Sequence, residues 1–102
     1  MSPGAVDAET RLEPKQRKRL EWWIGRLKGD AFAGDQIPKD RIPDGLATRN
    51  GLKPPLTNAW RFELPLAYRG VYTVQSSLER DVRVIILEVL SHKEYDRLLG
   101  YG

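Results

Sequence analysis

Three strand-like runs follow one another between residues 60 and 90, with little chain to connect them. The first, "WRFEL" (60–64), alternates: Trp60, Phe62 and Leu64 fall on one side, Arg61 and Glu63 on the other. "PLA" then makes a short link to "YRGVYTV" (68–74), where Tyr68, Tyr72 and Val74 stand opposite Arg69, Val71 and Thr73. "SSLERD" reads as a polar turn into "VRVIILEVL" (82–90). That last run is apolar on both sides, which predicts a central strand. A parallel neighbour needs a crossover of about a dozen residues or more, and these links are too short for one. The runs therefore predict an antiparallel meander of three strands.

The helix that covers such a sheet is predicted over residues 14–28. Pro14 suits a first helical position, because its missing N–H would be unpaired there anyway. Leu20, Trp23, Ile24 and Leu27 follow the i, i+3, i+4, i+7 spacing of one buried face. Gly29 is a natural stop. Lys15, Arg17, Lys18, Arg19, Arg26 and Lys28 give the helix a basic outer face. Residues 1–13 are small and polar and read as a flexible leader, which leaves 14–102 as one domain. From 29 to 58 the chain is broken up by Gly29, Gly34, Pro38, Pro43, Gly45, Gly51, Pro54 and Pro55. A short helical turn fits 39–49, and the rest should be irregular, pinned to the core by Ile37, Ile42, Leu46 and Leu52. A connection this long inside a compact domain often carries function. The tail "HKEYDRLLGY" reads as a short helix or turn, with Tyr95, Leu98 and Leu99 packing back. The predicted fold class is α+β: an N-terminal helix on one face of a small antiparallel sheet, and a short C-terminal helix or turn. The second face of the sheet is expected to be open enough for a ligand.

Composition narrows the function classes. A chain of 102 residues builds one core, and not a large one. Its 40% apolar and 30% charged residues are a globular balance. No apolar run approaches the ~18 residues of a membrane span. The start has no basic segment leading into an apolar one, so no secretory signal is expected. The chain has no cysteine, which excludes disulfides and thiolate zinc sites and fits a cytoplasmic location. With one histidine and no acids at ligand spacing, neither a metal nor a cofactor is expected. The net charge of +3 permits an acidic or polyanionic partner without requiring one.

Three residues and one cluster could carry chemistry. Arg69 places a permanent cation in a strand, where a guanidinium can fork onto phosphate or carboxylate. On spacing alone an ordinary surface arginine, or a cross-strand pair with Glu63, is the better explanation. His92 sits just past the last strand and could move a proton at cellular pH; a capping or surface role is the plain alternative. Tyr95, three residues on, is an acid, base or stacking platform, or simply a half-buried hydrophobe. The run Lys15, Arg17, Lys18 and Arg19 could track a phosphate backbone, face solvent, or dock an acidic protein.

Together these stretches resemble one family. "YRGVYTV" is similar to the arginine-bearing strand of the RelE/ParE toxin superfamily, and "VRVIILEVLSHKEYDRLLGY" to its last strand and tail. "NAWRFELPLAYRGVYTV" and the loop "GDQIPKDRIP" resemble archaeal-type RelE-like proteins in particular. The likeness covers residues 14–102. It implies a RelE-like sheet with helices packed on it. It also implies a toxin of a toxin–antitoxin pair, a metal-independent endoribonuclease that cuts ribosome-bound mRNA and is neutralised by a cognate antitoxin protein. Arg69 then matches the phosphate-charge stabiliser, and His92 and Tyr95 match tail positions that act in proton transfer or stacking. Lys93 and Arg61 would add phosphate contacts. The alternative within the same superfamily is a non-cleaving protein, a gyrase inhibitor or an inactive homologue.

Three departures bear on this. The family begins with a strand ahead of the first helix, and residues 1–13 show no such pattern. Gly70 stands where the family has a larger apolar residue. The acids Glu94 and Asp96 lower the positive charge of the tail.

Overall fold

Glu13 and Gln16 start the first helix, α1 (Pro14–Gly29). The Gln16 side chain turns back and accepts the Glu13 N–H at 2.9 Å, which satisfies a donor that a helix end leaves free. Leu20 and Leu27 are buried along one face, with Trp23 and Ile24 half-buried beside them. The computed structural model describes residues 10–76 and 82–99. Most of the leader and the 77–81 part of the polar turn lie outside the described residues, as do the last three residues of the tail. The end of the leader is not loose, however: Leu12 is buried in the same cluster as Leu20 and Leu27.

Beyond α1 comes a two-residue strand, β1 (Asp35–Gln36), then a 3-10 turn (Lys39–Arg41) and a short helix, α2 (Asp44–Arg49). Gly51, at φ 72°, ends α2: its N–H reaches the Thr48 carbonyl and that of Leu52 the Ala47 carbonyl, at 3.1 and 2.9 Å. The three anticipated strands follow as β2 (Trp60–Leu64), β3 (Tyr68–Ser76) and β4 (Val82–Leu90), and α3 (His92–Leu99) closes the described chain. All neighbours are antiparallel, in the order β1-β2-β3-β4. Among the described residues the sheet thus has four strands, not three. A strand of two polar residues carries no alternation, so β1 left no pattern to find.

Burial divides the molecule into two layers. α1 packs on one face, over Phe62, Leu64, Tyr72, Ile86 and Val89. The other face, with Val71, Leu87 and Leu90, is covered by Ile37, Leu46, Ala47, Leu56 and Ala59 of the proline-rich segment and by Tyr95 and Leu99 of α3. This corrects the expectation of an open second face. Apolar side chains on both sides of β4 needed two covers, and the long connection supplies the second. It also corrects the place of β4, which lies at the sheet's edge among the described residues. Its two-sided burial reports a layer above and a layer below, not a strand on each side.

Two local features shape the sheet around the arginine strand. Gly70 pairs directly with Phe62 across the β2–β3 ladder, and a Cβ at residue 70 would overlap the Phe62 ring. The missing side chain is the space that ring occupies. In β4 the register slips between Val71 and Tyr72: Val71 faces Glu88 and Tyr72 faces Ile86. The bulge lets Leu87 and Glu88 both meet the second layer.

Candidate functional site

Arg61 and Arg69 leave the second face of the sheet at one end, where α3 crosses it. Alternation explains their side: Trp60, Phe62, Tyr68 and Tyr72 all belong to the α1 layer, so their neighbours must point the other way. α3 begins beside them because Ser91 caps it. The Glu94 N–H donates to Ser91 Oγ, and the Ser91 N–H donates back to Glu94 Oε1 at 3.1 Å. That cap sets His92 at the first position of the helix.

Arg69 and His92 converge. Arg69 Nη1 lies 2.7 Å from His92 Nδ1. Glu63 is the Cα partner of Arg69 across the ladder, yet the guanidinium reaches His92 instead. His92 Nε2 lies 3.1 Å from Asp96 Oδ2, one helical turn on. Arg69 also sits over the Tyr95 ring, with Cζ 5.0 Å from its centre, and its Nε is buried without a hydrogen-bond partner.

Tyr95 is the floor of this cluster. It is only 2% exposed and belongs to the core with Leu46, Val71 and Leu90. Its hydroxyl accepts a hydrogen bond from Arg61 Nη1 at 3.3 Å. That bond raises the Arg61 pKa above its ordinary value, against the opposing effect of burial, with the charges of Asp35 and Glu63 adding to it. In this conformation the ring carries guanidinium groups and is closed to a stacking base.

The basic run is elsewhere. Lys15, Arg17, Lys18 and Arg19 are exposed on α1, which covers the opposite face of the sheet. Arg17 Nη2 donates to the Leu12 carbonyl at 3.0 Å, and Arg19 lies 4.1 Å from the Trp22 ring centre. The structure therefore does not bring these four together with Arg69, because the apolar stripe that buries α1 turns its charges outward. Lys93 is exposed next to His92 in α3.

A cleft of about 610 Å³ opens between α1 and β4, lined by Ile24, Leu27, Lys28, Val82, Val84 and Ile86. It lies on the α1 face and holds none of the residues above; we take the charged cluster as the candidate site because chemistry needs ionisable groups.

The cluster gathers Arg61, Arg69, His92 and Tyr95, all candidates in the sequence, and adds Asp96, which the sequence does not single out for chemistry. Its signal was its place four residues after His92 in a helical tail, one turn along the same side. The Ser91-x-x-Glu94 cap was equally legible. Among the described residues no helix is long and apolar enough to cross a membrane, and no three His, Asp or Glu side chains gather in a way that could hold a metal ion. Compared with models of known protein families, with curated proteins and with solved structures, the chain matches none of them.

Proposed function

We propose that this chain is a metal-independent endoribonuclease of the RelE type, a cytoplasmic toxin that cuts ribosome-bound mRNA and is held in check by a cognate antitoxin protein. One observation carries the reading: the strand arginine and the tail histidine, singled out separately in the sequence, meet on one face of the sheet. The chemistry asks for little more. The 2′-oxygen attacks the neighbouring phosphorus, its proton passes to His92, and the bond from phosphorus to the 5′-oxygen breaks. The 5′-oxygen takes a proton from water, and His92 returns its own to solvent. Arg69, with Arg61 beside it, offsets the charge that builds on the phosphorane oxygens. Holding the RNA in line supplies the rest of the acceleration.

Primer extension on ribosome-bound message tests this. The wild-type chain should give cuts in phase with the codons, and Arg69→Ala should reduce them by about 100-fold or more. The substitution also removes a buried N–H with no partner, so folding stability should change by no more than ~1 kcal/mol. Cuts that persist unchanged in Arg69→Ala would remove the arginine from the mechanism.

A second reading has its own support. Tyr95 is buried, and Arg69 Nη1 caps the Nδ1 of His92. A site closed in this way fits a non-cleaving protein of the same fold, a gyrase inhibitor or an inactive homologue. Growth arrest on induced expression, with no cut in any message and with gyrase inhibited, would favour it.

A further inference from the structure

Both ring nitrogens of His92 are occupied, by partners of opposite kind. A guanidinium only donates, so the Nδ1 it touches must offer its lone pair. A carboxylate only accepts, so the proton of the neutral ring sits on Nε2 and points at Asp96. The ring is thus fixed in one tautomer, with its basic lone pair capped by the arginine that would bind the substrate's phosphate.

Arg69 is poorly satisfied in this arrangement. One Nη1–H goes to His92, while Nε–H is buried with no partner. A phosphodiester offers two oxygens to the fork of a guanidinium, which is a better set of acceptors than one imidazole nitrogen. The two demands on Arg69 compete, and the anion offers the stronger bonds.

We propose that Asp96 is a positioning residue and that the substrate itself arms the site. A phosphodiester that grips Arg69 draws the guanidinium off His92 Nδ1 and exposes the lone pair. Asp96 keeps the ring proton on Nε2, so the exposed lone pair stays on Nδ1, facing the phosphate now bound to Arg69. When the 2′-hydroxyl proton arrives on Nδ1, the Asp96 carboxylate offsets the charge of the imidazolium. Without substrate the base stays capped. The inference rests on the ribonuclease reading above, which assigns the proton transfer to His92; Asp96 and the capping are new to it.

His92 is the sole histidine of the chain, so its ring nitrogens give an unambiguous NMR signal. The test uses the full-length 15N-labelled protein at about pH 8, where an ordinary histidine is neutral. The wild type should show one tautomer, protonated on Nε2. Adding a dinucleotide whose 2′-oxygen is methylated, and so cannot attack, should shift the Nδ1 resonance and leave Nε2 protonated. With that dinucleotide bound and Arg69 drawn off Nδ1, Asp96→Ala should give a mixture of tautomers, and Asp96→Asn, which can still accept from Nε2–H, should largely restore the single one. In cleavage of ribosome-bound message, Asp96→Ala should lower kcat about 10- to 100-fold with KM little changed.

The outcomes separate the two claims. A wild type that cuts no message overturns the ribonuclease reading, while the tautomer measurement still judges Asp96. A single Nε2–H tautomer in dinucleotide-bound Asp96→Ala, or cleavage by that variant at the wild-type rate, overturns the positioning role and leaves the ribonuclease standing. An Nδ1 resonance unmoved by the dinucleotide overturns the capping.

Discussion

The two faces of the sheet are covered in different ways. On the α1 face one continuous helix lies over an aromatic layer: Trp23 stacks on Phe62 at 5.3 Å, and Phe62 and Trp60 lie 6.0 and 6.3 Å from Tyr72. On the other face the cover is assembled from pieces: a six-residue helix, an irregular segment and the eight residues of α3. Its apolar part is mostly aliphatic, and Glu88, Arg61 and Arg69 all belong to it. Among the described residues, each face also buries one side-chain N–H without a partner. On the α1 side it is the neutral indole of Trp60; on the other it is the guanidinium of Arg69. A single amphipathic helix covers its face in one piece, with a cleft left against β4. A cover built of short pieces has ends, and polar groups of the strands can emerge there half-solvated. The candidate site sits where the cover is piecemeal.

The sharpest way to break that contrast is to crowd the α1 face. Gly70→Ala puts a methyl where the Phe62 ring lies, and that ring is itself held between Trp23 and Tyr72. We expect a loss of about 3 kcal/mol in denaturant unfolding, at the upper end for overpacking. The double variant Gly70→Ala, Phe62→Leu should regain part of it by making the missing space. A Gly70→Ala protein as stable as the parent would show that the aromatic layer gives way easily.

The other face should answer to charge instead of volume. Glu88 is 6% exposed and held by Arg49 Nε at 2.8 Å and Asn50 Nδ2 at 3.1 Å. Arg49 is itself half-exposed, so water screens much of the pair. Arg49→Ala should therefore cost only about 1–2 kcal/mol, chiefly by leaving the carboxylate with Asn50 alone. Adding Glu88→Gln should recover most of that loss, because a neutral amide tolerates the site better. If the double variant is weaker than Arg49→Ala, the carboxylate has value beyond its pairing with Arg49.

This difference also explains which parts are legible in the sequence. α1, β2, β3 and β4 each bury at least one side, and burial imposes a period that can be counted. Residues 14–28 and 60–74 can therefore be read almost to the residue. β1 is held by backbone pairing of Asp35 and Gln36 to the start of β2, which needs no particular side chain. The role of the 29–58 segment as a second layer is only half visible. Ile37, Ile42, Leu46 and Leu52 announce contact with a core, but not which face of the sheet they close. At the site, Arg69 and His92 stand out because a cation in a strand and a lone histidine are chemically conspicuous. Asp96 does not, because one acid among several is ordinary until a distance shows what it holds.

The smallest predicted effect lies where the two faces meet, in the β2–β3 turn. Gln16 Nε2 donates to the Pro65 carbonyl from the α1 side, and Arg69 leaves toward the other face a few residues later. Leu66 and Ala67 both lie in the left-handed region, at φ 63° and 59°. For residues with a Cβ that conformation costs roughly 1–2 kcal/mol, and glycine avoids the cost. Ala67→Gly also loosens the unfolded chain, which takes back about 0.4–1 kcal/mol. The net gain should be small, about 0.5 kcal/mol, and visible as a shift in the unfolding midpoint. The same variant should leave the His92 ring signals in place if the turn serves only to reverse the chain. Should those signals move, the strained turn is helping to aim Arg69, and the two faces are coupled through it.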